Sequence, residues 1–229
     1  TQGVSSAASD VYKRQVFVSA YLRNPASTFG HLLLKFNSRN RHFGHSLLRP
    51  TLNYGAMINA DDNPFFYTLR GLFGGYEGSF TDERFYNFNH IYGENESRDL
   101  WEYPLNLTPE QQYLVTFHAW ELLQKVQFTY YFFLDNCAYR MAELLEMAWT
   151  DTTRINTSGA IWAIPVDVVF KLKKFNRNAE GLSLLGNPKL IPSRQRKLQQ
   201  RVAQLNEKEQ EQLRKLIESA NLSLIHISE

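Results

Sequence analysis

The chain has 229 residues, 43% hydrophobic and 14% aromatic, enough to bury one sizeable core and too apolar for a disordered protein. Its formal charge of +2 conceals an asymmetry: residues 171–215 carry twelve Lys/Arg against four Glu, which leaves the remainder mildly acidic at −6. No run of 18 apolar residues excludes a spanning helix within this sequence, and a single cysteine excludes an internal disulfide.

Residues 1–15, with the stretch VSSAASDVYKRQ, and residues 222–229, ending in SLIHISE, resemble adaptor-derived sequence and are set aside as non-native. The chain begins at Thr1 rather than methionine, so a signal or anchor is expected upstream in the parent protein. From Val16 the run VFVSAYL predicts a strand to Leu22, followed by a turn at Arg23-Asn24-Pro25. His31–Asn37 (HLLLKFN) and Leu52–Ile58 (LNYGAMI) predict two more. In residues 63–80 a short helix is expected after Pro64, opening into a loop at Gly74-Gly75, and residues 98–105 (RDLWEYPL) predict a further strand.

Thr108-Pro109-Glu110-Gln111 combines an N-cap, proline at the first helical position and glutamine three residues after the cap, and so starts a helix expected to reach Lys125. A strand-like FTYYFFL follows. Asp135-Asn136 then supply a cap for a helix whose apolar residues Ala138, Met141, Ala142, Leu145, Ala148 and Trp149 recur at helical spacing. Pro165 opens another short helix. The segment from Ser193 is amphipathic, with Leu198, Val202, Leu205, Leu213, Leu216 and Ile217, and is broken near Asn206. These elements predict an α+β fold, an antiparallel sheet packed on helices, with a main domain over residues 16–175 and a helical C-terminal extension over 176–221.

Cys137 falls at the start of the second capped helix, where aligned N–H groups favour negative charge and acidify a thiol toward the nucleophilic thiolate. Free cysteine is equally at home as a small buried hydrophobe, so the position has two readings. A base must come from elsewhere. His31, directly after Phe29-Gly30 at a strand start, projects best into a cleft; His42 and His45 flank a loop, His118 lies on a helix beside Trp120, His90 has no constellation, and His226 falls in the set-aside tail. No HxxxH, HExxH or paired-cysteine spacing points to a metal, and GLFGGYEG lacks the lysine of a phosphate loop.

FGHLLLKF, LNYGA, GLFGGYEGSF, RDLWEYPLNLTPEQ and YYFFLDNCAYRMAELLE, in this order, resemble the N-terminal, extracytoplasmic domain of the bacterial lipoprotein intramolecular transacylase (Lnb-like) family over residues 16–175. The resemblance implies a circularly permuted papain-like domain, akin to the lecithin:retinol acyltransferase group, with histidine before cysteine. The family's histidine falls on His31 and its Asn-Cys on Asn136 and Cys137; Ala138 stands where the family usually has Ser or Thr. The implied activity is thiol-dependent acyl transfer or hydrolysis on lipid or lipoprotein esters at the outer face of the inner membrane. No cofactor, metal or nucleic acid is implied; the partner is membrane lipid or lipoprotein, with peripheral membrane contact. Asn53 is the candidate third group that orients the imidazole, with Tyr54, Tyr130 and Asn136 as alternatives. Phe65, Phe66, Leu69, Leu72, Phe73, Gly74, Gly75, Tyr76 and Tyr130 are the expected acyl-chain groove. A cell-wall peptidase with the same pair, and a silent binding module, are the competing expectations.

Overall fold

In the computed structural model the described residues are 11–20, 29–38, 45–58, 64–124, 126–148, 164–174 and 183–225. Among them seven strands, β1 (Val11–Val18), β2 (His31–Ser38), β3 (Pro50–Ala56), β4 (Tyr76–Arg84), β5 (Leu100–Pro104), β6 (Gln127–Tyr130) and β7 (Lys189–Ile191), make one antiparallel sheet in the spatial order β6-β4-β3-β2-β1-β5-β7. Seven helices accompany it: α1 (Pro64–Phe73), α2 (Phe85–Phe88), α3 (Pro109–Leu123), α4 (Cys137–Glu146), α5 (Pro165–Lys174), α6 (Arg194–Val202) and α7 (Glu207–Ile225). α2 continues directly into a π-helical stretch, Asn89–Asn95. The fold is α+β.

The apolar run LLL within HLLLKF suits β2 because both of its faces are covered. Leu32 and Leu34 join Leu52, Tyr54, Met141, Ala142 and Leu145 in the main core, whereas Leu33 packs with Val16, Val18, Phe85, Phe88 and Leu100 on the opposite face. α4 lies across β2 and β3 with Ala138, Met141, Ala142, Leu144 and Leu145 all buried. Burying Met141, Leu144 and Leu145 stabilises the helix position by roughly 2 kcal/mol each, and the two alanine methyls add less than about 1 kcal/mol each. α3 begins with the reciprocal capping box at Thr108 and Gln111 that its sequence predicts.

Several boundaries differ from the sequence reading. The stretch expected as a loop after Gly74-Gly75 is β4. Gly74, at φ +80°, turns the chain, and Tyr76, Gly78 and Phe80 then alternate inward. Gly78 hides this alternation in the sequence, yet it is required: an added Cβ would lie 2.2 Å from the Tyr54 hydroxyl. β1 extends back to Val11 through register pairing with Ser38, so residues 11–15, set aside from the sequence, lie in the sheet. FTYYFFL is a strand only to Tyr130 and bends thereafter. The segment expected as an appendage contributes β7 to the same sheet, and α7 extends through residues 222–225. The break at Asn206 is a second capping exchange, Glu209 N–H to Asn206 Oδ1 and Asn206 N–H to Glu209 Oε2. Leu22, the Arg23-Asn24-Pro25 turn and Trp149 lie outside the described residues.

Candidate active site

Cys137 is the first residue of α4, and the cap before it fixes its place. Asn136 Oδ1 accepts from the N–H groups of Ala138 at 2.9 Å and Tyr139 at 3.2 Å, and its Nδ2 donates to the Phe132 carbonyl at 2.9 Å. The first two bonds start the helix, and the third ties the incoming loop to it. Asn136 is therefore a capping residue. The N–H groups of Leu32, Ala138 and Cys137 itself bear on the sulfur, so the thiol meets β2 one residue from His31.

His31 opens β2 after Gly30, whose φ is +99° and whose bare Cα sits so close to Phe17 and the Val18 carbonyl that an added Cβ would lie 2.7 Å from each. His31 Nε2 lies 2.7 Å from Asn53 Oδ1. Asn53 Nδ2 in turn donates to Thr81 Oγ1 at 3.3 Å, with the amide oxygen toward the ring. This network assigns the imidazole proton to Nε2 and leaves Nδ1 as the basic nitrogen. Asn53 reaches His31 because β2 and β3 are neighbours in the sheet.

The site's electrostatics overturn one expectation. A helix N-terminus acidifies a thiol, but Cys137 is only 2% exposed, and burial pushes it up to about 11 against the opposing pull of the Leu32 and Ala138 N–H groups. Desolvation of the charged form outweighs the dipole here. Burial likewise lowers His31 to about 4, despite the Asn53 bond, which acts in the opposite direction. The resting site holds a neutral thiol and a neutral imidazole, and burial of both opposes charge separation between them while the site stays closed.

Two aromatic residues join the segments that lead into this pair. Phe29, two residues before His31, meets Phe133, four before Cys137, edge-on at a centroid distance of 5.8 Å. The expected groove is split. Tyr76 and Tyr130 belong to the core, Tyr130 stacked on Tyr54 at 5.5 Å, so neither they nor Tyr54 stand on the imidazole or line a groove. Leu69, Leu72 and Phe73 of α1 are exposed, Phe73 by 79%, as is Leu134 of the loop before Cys137. α1 abuts that loop: Phe132 N–H donates to the Gly71 carbonyl at 2.8 Å, and Gly74 lies against the Tyr131 ring. Gly75 N–H closes α1 onto Arg70 O. Phe65 and Phe66 begin α1, and their side chains lie outside the described residues.

The other described histidines stand apart from the site. His45 caps a short 3-10 turn, His90 contacts Glu94 and stacks on Tyr86, His118 contacts Glu121, and His42 and His226 lie outside the described residues. Among the described residues no three His, Cys, Asp or Glu side chains converge as metal ligands, and no helix is long and apolar enough to cross a membrane. Sequence reasoning missed Thr81, which sits on the unrecognised β4, and Arg98, whose charge bears on both Cys137 and His31. The family model that matches residues 6–174 is described as the Lnb N-terminal periplasmic domain. No curated protein and no solved structure matches the chain.

Proposed function

Because the chain belongs to the family of Lnb N-terminal periplasmic domains, we propose that it is a thiol-dependent acyltransferase or hydrolase working on acyl esters of membrane lipid or lipoprotein. The observation that carries this reading is the string Thr81–Asn53–His31, which presents a bare Nδ1, together with Cys137 at the head of a capped helix one strand position away. Papain-like enzymes divide the work in the same way among Cys, His and Asn, and the order of histidine before cysteine suits the permuted version of that arrangement.

In the reaction, His31 Nδ1 takes the Cys137 proton as the sulfur attacks the ester carbonyl. Asn53 Oδ1 holds the Nε2–H and favours the imidazolium that forms. Backbone N–H groups at the start of α4 receive the oxyanion. His31 then gives the proton to the departing alkoxide, and the acyl group stays on sulfur as a thioester until an amine or water takes it. The closed resting pair must open first. The exposed Leu69, Leu72, Phe73 and Leu134, packed around the loop that carries Phe132 and Phe133, make an apolar surface the natural trigger, and they favour a lipid over a cell-wall peptide as substrate.

Mass spectrometry of lipoprotein N-termini, from cells expressing the protein or its Cys137→Ala variant, tests the reading. A change in N-terminal acylation between the two is expected. Identical acylation would overturn lipoprotein as the substrate.

A further inference from the structure

Arg98 is 2% exposed, in the short connection between the π-helical stretch and β5. Its Nε donates to the Ser19 carbonyl at 2.7 Å and its Nη1 to Glu96 Oε2 at 2.9 Å, and its guanidinium carbon stands 4.8 Å from the centroid of the Tyr92 ring. That same ring lies 5.8 Å from the imidazole of His31 and is stacked on Phe88. Arg98 and His31 are thus brought together around Tyr92. The backbone that delivers the guanidinium is unusual at two points. Tyr92 sits in a π-helical turn whose carbonyl accepts the Arg98 N–H at 2.8 Å, and Ser97 adopts φ +55°, a conformation that side chains rarely take. Local strain of this kind persists where the surroundings over-determine a side chain's place.

We propose that Arg98 is a positioning residue of the Cys137–His31 site, a fixed buried cation held against the Tyr92 ring that packs on His31, whose charge favours negative charge on the sulfur as the thiol releases its proton. This rests on the acyl-transfer reading for its purpose, but not for its measurement. Of the ionisable groups around the pair, Tyr54 of β3 and Tyr92 are both driven further toward the neutral form by burial, and Asp135 is paired with Arg140 beyond Tyr54. Arg98 bears a counter-charge, Glu96, but the two are unequally screened: the Glu96 side chain is 25% exposed and that of Arg98 1%. Solvent weakens the field of the carboxylate more than that of the guanidinium, so a positive potential survives at the buried end. That potential lowers Cys137 and His31 alike, so it leaves the transfer of one proton between them nearly unchanged, favours the charge on sulfur and makes the imidazolium a readier proton donor to the departing alkoxide.

A purely structural Arg98, anchoring Ser19 to the start of β5, makes the opposite prediction for the thiol. Loss of an anchor loosens the site, rehydrates the sulfur and moves its titration down toward the ordinary range. Loss of the charge moves it up. Cys137 is the chain's single cysteine, so 13Cβ-cysteine labelling of the full chain gives one resonance to titrate, and His31 is identified by comparison with His31→Gln. With Arg98→Gln we expect the Cys137 and His31 midpoints both to rise, cutting the thiolate fraction at pH 9 at least threefold. Arg98→Lys should restore most of this. Glu96→Gln, which removes only the exposed counter-charge, should lower both midpoints and stands even where Arg98→Gln does not fold. A Cys137 midpoint that falls or stays fixed in Arg98→Gln, or one that fails to fall in Glu96→Gln, overturns the proposal. These titrations use no substrate, so their failure leaves the acyl-transfer reading intact, whereas that reading fails on its own measurements, lipoprotein acylation in Cys137→Ala and capture of an acyl group on Cys137.

Discussion

At pH 7.5 Cys137 should alkylate more slowly than a small free thiol, although its place at a helix N-terminus suggests the reverse. Burial holds the thiol at about 11 instead of the ordinary value near 9, which lowers the thiolate fraction about 10²-fold. A more basic thiolate is a stronger nucleophile, and a Brønsted slope of about 0.4–0.5 returns roughly one power of ten. The net expectation is a rate at least about tenfold below that of glutathione, before any steric block from the covering loop. Iodoacetamide labelling followed by intact mass gives the rate constant, and its logarithm should climb with unit slope from pH 7 to beyond pH 10. A plateau below pH 9, or a rate above glutathione's at pH 7.5, would show an acidic, open thiol and refute the closed resting site. Phe133→Ala removes the aromatic contact with Phe29 and should accelerate labelling several-fold.

Burial of His31 makes stability depend on acid. Its folded value, about 4, lies below the unfolded 6.5, so the unfolded chain binds the extra proton first, and stability is lost as pH falls from about 6.5 to 4, by about 3 kcal/mol in all. Urea unfolding across that window should show an acid limb that His31→Gln flattens by about that amount. Asn53→Asp places a carboxylate on Nε2 and should raise the His31 midpoint, read by imidazole NMR, whereas Asn53→Ala should lose the Nε2–H tautomer preference. Gly71→Ala would set a Cβ 2.1 Å from Phe132 Cζ, and the forced shift should cost roughly 1–3 kcal/mol in thermal or urea unfolding despite alanine's better helix propensity.

What the sequence made legible was local or nearly so. The Thr108–Gln111 box and the Asn136 cap depend on residues within one turn, and Asn53 could be chosen as the partner of His31 because consecutive strands tend to be neighbours. The misses have a common physical cause in tertiary environment. Nothing near Cys137 in sequence announces that β2 will cover it, so the sequence leaves the helix dipole and burial as rival influences that only the tertiary environment ranks. Tyr76 and Tyr130 read as groove residues until β4 and β6 pair and turn them into the core. Arg98 carries no local signature, since its relation to His31 arises only when the π-helical turn folds Tyr92 between them.

Acyl transfer through Cys137 requires a thioester, and capturing it is the most direct measurement. The protein is mixed with phospholipid vesicles containing a diacylated lipopeptide, quenched in acid and read by intact mass. The account predicts an acyl-sized increment on Cys137 that hydroxylamine removes, that is missing in Cys137→Ala, and that forms more slowly in His31→Gln. Turnover of the lipid with no such adduct, or an adduct that forms equally well without His31, would contradict it.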